Sequence, residues 1–423
     1  MRALPSERPN ILYIVVDDMG LADVGCFGNK SLATPNVDRL CKEGIKLTHH
    51  LSAYSLCTPS RVSALTGRYA GRFGMAQSFG TPPVVIYTAG RVGLPPNSTA
   101  WPKLLKEDGY RTGAFGKWHM GWNKEKWGDQ LHGPLGHGFD FFLGIPFTLV
   151  DGFEKGANES FFSVTELRKA LNGTMPPRME GTLHLIKEMM GDGEVFSLAL
   201  TGLLGMKVLG VSGRAGVVGG IGWWFAMQHL RVFTEKWWQR SDYMERLLNS
   251  NLMEMPGDKV MMQPIDQTRS SSLINKRLQE FIQEKSSKPW VAYYSLTEAH
   301  TPLIVEQEFR GRSSHGDYGD TILQMDAMVG RVLNMLDTSG QAENTLVYYT
   351  SDHGGHIDVG TKGGWNAPLT GGKGNGAREG GVRVPGIVRW PAGGIVPGSQ
   401  LTMPTSQMDH AHLVGGSRQA CAC

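Results

Sequence analysis

The run Asn10-Ile11-Leu12-Tyr13-Ile14-Val15-Val16 breaks off abruptly into Asp17-Asp18. An apolar run of this length without polar alternation reads as a strand covered on both faces, as at the centre of a parallel sheet. Three more runs have the same form. Tyr110 to Phe115 leads to Lys117 and His119, Trp290-Val291-Ala292-Tyr293-Tyr294 leads towards His300, and Leu346 to Thr350 leads into Asp352-His353. Helical periods lie between them, at Pro35 to Glu43, Trp101 to Asp108, Ile274 to Glu284 and Ile322 to Leu336. Strand and helix alternate, so the class is α/β. Open sheets of this kind bind ligands beyond the carboxyl ends of their strands. The four polar clusters are therefore expected at one site. Any single cluster could be a solvated loop start, but all four carry metal-ligand or acid-base residue types.

A length of 423 residues suits one large α/β domain with insertions. Hydrophobic residues at 40% and charged residues at 19% exclude a disordered polyelectrolyte. A formal charge of +3 without a dense basic run excludes an electrostatic nucleic-acid binder. The 56 glycines follow no fixed period and indicate many turns and loops. Five cysteines, at positions 26, 41, 57, 421 and 423, define no disulfide framework and leave at least one thiol over. Four Asn-X-Ser/Thr sequons, at Asn29, Asn97, Asn158 and Asn172, lean towards the secretory pathway. The start, Met1 to Pro9, has no apolar segment and reads as no signal peptide.

The middle differs in kind. Val195 to Val211 and Ala215 to Met227 are apolar apart from Lys207, with Gly213-Arg214 between them. Each is shorter than the roughly 20 residues that span a bilayer. Trp223, Trp224, Trp237 and Trp238 stand beside Arg231, Lys236 and Arg240, in the manner of an interfacial belt. Two readings stay open for residues 195–234: a membrane-embedded helical hairpin and a buried helical pair.

Ser55-Leu56-Cys57-Thr58-Pro59-Ser60-Arg61 reads as a helix start, with Thr58 as cap and Pro59 as first helical residue. Unpaired N–H groups there favour an anion, and Cys57 stands at their mouth beside Arg61. A Cys/His hydrolase pairing Cys57 with His119 or His300 is one outcome; a buried structural cysteine is the other. Asp17, Asp18 and Asp352 with His353 offer three carboxylates and one imidazole, a set suited to Ca²⁺ or Mg²⁺ more than to Zn²⁺. Lys117 and His119 lie two apart and share a side if the chain stays extended. Gly371-Gly372-Lys373-Gly374 brings another cation on a backbone able to approach an anion closely.

Cys57-Thr58-Pro59-Ser60-Arg61 with Leu65-Thr66-Gly67-Arg68 resembles the signature of the sulfatase family. The resemblance extends through Asp17-Asp18, Gly116-Lys117-Trp118-His119, His137-Gly138-Phe139-Asp140, Thr350-Ser351-Asp352-His353-Gly354, Gly371-Gly372-Lys373 and Glu379 to Gly386, over residues 9–408. With the apolar middle and Pro146-Phe147-Thr148-Leu149, it is similar to the membrane-associated branch holding steroid sulfatase and arylsulfatases D, E, F and H. The resemblance implies an alkaline-phosphatase-like α/β sandwich with a large mixed, mostly parallel sheet and an inserted hydrophobic helical hairpin. It implies hydrolysis of sulfate esters by a formylglycine that a formylglycine-generating enzyme makes from Cys57. It further implies one Ca²⁺ held by Asp17, Asp18, residue 57, Asp352 and His353, with Arg61, Lys117, His119, His300 and Lys373 as catalytic or sulfate-binding groups. Location in the endoplasmic reticulum or Golgi membrane follows from the same resemblance.

There are departures. His353 stands where the wider family often has Asn or Gln, and Ala377-Arg378 where a Trp is usual before Glu379. Residues 409–423 resemble nothing in the family, so its C-terminal subdomain is expected to be absent. Two alternatives accompany the sulfatase reading: an inactive sulfatase-like membrane protein, and a phosphatase or phosphodiesterase of the same fold, which would place Ser or Thr at position 57.

Overall fold

In the computed structural model, residues 8–75, 93–122, 131–149, 252–256, 259–262 and 265–409 are described. The 195–234 segment and most of the 409–423 tail lie outside these residues. Among the described residues no helix is long and apolar enough to cross a membrane.

The quoted run forms β1 (Asn10–Val16). Its residues Ile11 to Val16 are between 0% and 7% exposed, which is why the strand tolerates no polar alternation. It pairs in parallel with β8 (Trp290–Ser295) on one side and β9 (Thr345–Ser351) on the other. Beyond β8 lie β4 (Arg111–Lys117) and β5 (Phe141–Ile145), also parallel. Antiparallel strands finish the sheet: β6 (Leu252–Met255) and β7 (Lys259–Met262) at one end, and β10 (Gly386–Arg389) against β9 at the other. β2 (Ile45–Leu47) and β11 (Ser399–Leu401) complete the ten-stranded order β11-β2-β10-β9-β1-β8-β4-β5-β6-β7. β3 (His50–Leu51) and β12 (Thr405–Ser406) form a separate two-stranded ladder. The sheet is mixed with a parallel centre, as expected of an α/β chain.

Alternate residues of β1 serve different layers. Leu12, Ile14 and Val16 join one core with α1 (Pro35–Glu43), α4 (Gln267–Gln283) and α5 (Gly316–Thr338) through Val37, Leu40, Ile274, Leu278, Ile322, Met325 and Val329. Each such side chain contributes about 1.5–3 kcal/mol on burial. On the opposite face Tyr13 stands between its register partners Tyr293 and Tyr348, ring centroids 5.5 and 4.8 Å away, and meets Trp101 of α3 (Trp101–Glu107) at 5.6 Å. Residues 57–66 form α2 on that side of the chain order, between β3 and α3.

The strand ends are tied before their loops diverge. Asp352 N donates to Val16 O at 2.9 Å, Asp17 N to Glu298 O at 2.8 Å, and Ala299 N to Asp17 O at 2.7 Å. Loops leaving β1, β8 and β9 therefore start from fixed positions. Gly116 fits the same crowding: its φ is +99°, and a Cβ would lie 1.8 Å from the Ser295 carbonyl oxygen. Cys26 and Cys41 form a disulfide, joining the segment after β1 to α1, and leave Cys57 as a buried free thiol.

Candidate active site

Cys57 is the first residue of α2, behind Leu56 as cap residue with no side-chain cap hydrogen bond. This corrects the expected start at Thr58-Pro59. The Thr58 hydroxyl instead donates to His119 O at 2.8 Å, fixing the turn after β4 against the helix. All ten residues of α2 are buried, so its N-terminus faces the interior at the carboxyl edge of the sheet. One turn on, Arg61 Nη2 lies 2.9 Å from Asp352 Oδ2 and 3.2 Å from Asp17 Oδ1, and its Nε donates to Asp352 Oδ2 at 3.0 Å.

The inner oxygens of the acidic pair face residue 57. Cys57 Sγ is 3.8 Å from Asp17 Oδ1, 4.0 Å from Asp18 Oδ1 and 3.2 Å from His353 Nε2. His353 Nδ1 pairs with Gly354 O at 2.8 Å, so in the neutral ring the proton sits there and the Nε2 lone pair points inward, 3.2 Å from Asp18 Oδ1. Asp352 approaches through Oδ1, 3.7 Å from that nitrogen. The lysines come closest to the outer oxygens: Lys117 Nζ is 2.6 Å from Asp17 Oδ2, and Lys373 Nζ is 2.6 Å from Asp18 Oδ2 while donating also to Asp18 Oδ1 at 2.9 Å. Asp18 has φ +56°, an uncommon conformation outside glycine that turns its carboxylate into the cluster.

His119 also has φ +56°, so the extended geometry does not persist past Lys117 and the two side chains do not simply share a strand face. Its ring is fully buried, with neither nitrogen hydrogen-bonded. His300 pairs through Nδ1 with Thr301 O and presents Nε2 to Thr148 Oγ1 at 3.4 Å and to Asp18 Oδ2 at 3.8 Å. Apart from His119, whose ring makes no hydrogen bond, the candidates named from the sequence lie in one connected cluster.

Opposing forces set the protonation states. Burial would raise the Asp17 carboxyl, but Lys117 and Arg61 hold it well below the usual carboxylate range. Asp18 behaves likewise, with Lys373 and then His300 outweighing burial. Asp352 is raised, because burial exceeds the help it receives from His353 and Arg61. Burial disfavours charge on His353, yet Asp352 and Cys57 push it up to about 9. Burial followed by Lys117 and Arg61 holds His119 well below its ordinary value. Burial and then Lys373 pull His300 down to about 3.

Asp23, not among the candidates the sequence singles out, belongs to the same region. Its buried carboxylate accepts from Gly20 N at 2.8 Å, from Tyr318 Oη at 2.7 Å and from Trp365 N at 3.0 Å. It thereby fixes the loop after Asp18 to the segment before Lys373, and burial raises it to about 7 despite these donors. Its only local signal is an acid a few residues past Asp17-Asp18.

Donor atoms of Asp17, Asp18, Cys57 and His353 all lie within 4.8 Å of one another and are buried. Ligands on opposite sides of one Ca²⁺, each at about 2.4 Å, are separated by about that distance, so the set fits a single divalent cation.

The family model described as Sulfatase matches residues 9–159 and 201–415. The chain is 38% identical to arylsulfatase D of Homo sapiens over 97% of its own length and 65% of that protein's. It is 39% identical to the steryl-sulfatase of Rattus norvegicus over 96% of its own length and 66% of that protein's. It therefore spans just under two thirds of these two relatives. A solved sulfatase of Pseudoalteromonas sp., PsFucS1, superposes with a TM-score of 0.66 at 23% identity, covering 97% of this chain and 67% of that one. A phosphonate monoester hydrolase of Agrobacterium radiobacter superposes with a TM-score of 0.52 at 15% identity, covering 97% and 73%. Both structural likenesses show the fold, which sulfate- and phosphonate-ester chemistry evidently share.

Proposed function

The chain belongs to the sulfatase family, and we propose that it hydrolyses sulfate esters of aryl or steroid-like alcohols, using a formylglycine made from Cys57. The single observation that carries this reading is the split of the acidic pair. Its Oδ1 atoms face residue 57 and His353, while Lys117 and Lys373 come closest to its Oδ2 atoms, Lys373 reaching Asp18 Oδ1 as well. One side of the cluster suits a cation, and the other offers cations to an anion. The substrate class is supported by relatives named arylsulfatase and steryl-sulfatase.

Asp17, Asp18, Asp352 and His353, with residue 57, would hold a divalent cation of the Ca²⁺ class, which supplies positive charge beside the nucleophile and the sulfate. Lys117 and Lys373 bind sulfate oxygens in a buried site where such charges act strongly. The hydrated aldehyde of residue 57 carries two hydroxyls, kept in place by Arg61. One would attack sulfur as its proton passes to a facing carboxylate oxygen, Asp17 Oδ1 standing 3.8 Å from Cys57 Sγ; its O–S bond forms as the ester S–O bond breaks, and the leaving alkoxide or phenoxide takes a proton from His300. Burial and then the field of Lys373 hold His300 neutral; a bound sulfate anion offsets that field, so His300 takes up a proton from solvent as the substrate binds. His119, kept neutral by burial and by Lys117, takes the proton of the second hydroxyl. The aldehyde C=O then re-forms, the C–O bond to sulfate breaks, inorganic sulfate leaves, and water restores the hydrate. A cysteine thiolate has no second hydroxyl and would stop at a stable thiosulfate ester.

Modification of Cys57 by a formylglycine-generating enzyme fits entry into the secretory pathway, which the Cys26–Cys41 disulfide supports, since such bonds persist in oxidising compartments. Association with an endoplasmic reticulum or Golgi membrane through residues 195–234 belongs to the same reading. The discriminating experiment compares an aryl sulfate with the matching aryl phosphate on protein from a secretory host. Sulfate-selective hydrolysis lost in Cys57→Ala supports the proposal, whereas preference for the phosphate sinks it.

A further inference from the structure

His356 stands three residues beyond His353, at the head of the turn Ile357–Lys362, and the mechanism above gives it no task. Its side chain is 28% exposed, yet its Nδ1 is buried and has no hydrogen-bond partner. Native structures leave few such atoms unpaired, and each one asks what pairs with it. Nδ1 lies 3.9 Å from Asp18 Oδ2, too far for a hydrogen bond. The same oxygen is held by Lys373 Nζ at 2.6 Å and approached by His300 Nε2 at 3.8 Å. His356 therefore approaches the same Asp18 oxygen as Lys373 and His300.

Its position is built, and built together with that of Lys373. Gly355, the residue before it, accepts from Lys373 N at 3.1 Å and from Asn366 Nδ2 at 3.1 Å, while Gly355 N donates to Asn366 Oδ1 at 2.9 Å. A Cβ at Gly355 would lie 2.6 Å from Gly364 Cα, so the two segments touch backbone to backbone. One bracket thus fixes both the His356 imidazole and the Lys373 ammonium beside Asp18. An imidazole can carry a proton on Nδ1 whether the ring is neutral or charged, so the donor does not depend on titration.

We propose that His356 is a further substrate-binding residue, whose Nδ1–H donates to an oxygen of the sulfate group beside Lys373. The inference rests on the sulfate-ester reading and adds to it a sulfate donor from the loop that follows His353.

The test uses cation-loaded protein carrying formylglycine, as wild type, His356→Ala, His356→Gln and, as a surface control, Lys42→Ala. Inorganic sulfate binding is measured by calorimetry, and KM and kcat for an aryl sulfate by product release. Loss of one hydrogen bond to an anion predicts about tenfold weaker sulfate binding and about tenfold higher KM in His356→Ala. kcat should stay within about threefold, and glutamine, which keeps an N–H donor, should recover most of the loss. Unchanged sulfate binding in His356→Ala overturns the inference while leaving the hydrolase reading intact. Equal losses in the alanine and glutamine variants, accompanied by a parallel loss of cation affinity, overturn it in favour of a cation-side role. A wild type that binds sulfate but turns over no ester sinks the hydrolase reading alone, and one that binds no sulfate sinks both.

Discussion

Replacing Arg61 by methionine keeps most of the side-chain length and deletes the guanidinium. Arg61, Asp17 and Asp352 have side chains at most 1% exposed, so solvent cannot take over the lost contacts. Asp17 retains Lys117 at 2.6 Å, whereas Asp352 Oδ2 loses the ion pair at 2.9 Å and the Nε hydrogen bond at 3.0 Å together. Removing one partner of a buried pair costs about 3–5 kcal/mol, set against a total stability of about 5–15 kcal/mol. Urea unfolding of the cation-free, unmodified protein, followed by tryptophan fluorescence, should therefore show a deficit of about 3–5 kcal/mol at about pH 7.5. The pH dependence has a definite sign. Without the guanidinium, Asp352 and Asp17 titrate higher in the folded chain than they do in wild type, and Asp352 higher than in the unfolded chain. The folded variant then holds on to protons that its unfolded form has released above the unfolded carboxylate pKa, so its stability falls as pH rises. Relative to wild type, the deficit should shrink by about 1–3 kcal/mol between about pH 7.5 and pH 5, since each tenfold gain in proton affinity is worth about 1.4 kcal/mol. A deficit below about 1 kcal/mol, or one that does not change with pH, refutes the view that Arg61 neutralises this pair.

Two further outcomes follow from the geometry. His353→Asn exchanges an imidazole nitrogen for an amide oxygen, so calorimetry should show a lower ratio of Mn²⁺ to Ca²⁺ affinity than wild type, because nitrogen donors favour the transition metal; an unchanged ratio means His353 is not a ligand. Gly116→Ala forces a Cβ to 1.8 Å from the Ser295 carbonyl oxygen at φ +99° and should cost more than about 3 kcal/mol in thermal unfolding. Gly311→Ala, with φ +69° and open space around it, should cost only about 1–2 kcal/mol.

The four runs that set the fold class are β1, β4, β8 and β9, legible because strands buried on both faces carry a near-continuous apolar stretch between polar ends. The antiparallel strands β10, β6 and β7 are short, with no such run to announce them. α1 has the expected limits, Pro35 to Glu43, whereas α4 begins at Gln267, earlier than periodicity indicated. There Asp266 caps the helix by accepting from Thr268 N at 3.1 Å, a local signal outweighed by the polar first turn. Thr58 was a plausible cap by type, but its hydroxyl is taken by a carbonyl 61 positions away, a contact no local rule reveals. The pairing of Cys26 with Cys41 was likewise hidden among five cysteines. The strand-end candidates were found together because parallel strands place their carboxyl ends on one edge. Asp23 and His356 were not, since each acts through a loop that only the folded chain brings back to Asp18.

In the proposed function, residue 57, once an aldehyde, is the nucleophile of a sulfate-ester hydrolase. The most direct test makes the chain in a secretory host, measures by peptide mass the fraction of residue 57 present as formylglycine, loads the protein with Ca²⁺ and follows sulfate release from an aryl sulfate. Many turnovers per chain, rising in proportion to the aldehyde fraction and absent in Cys57→Ala, are predicted. Full modification without turnover, or turnover by chains that retain the thiol, would contradict it.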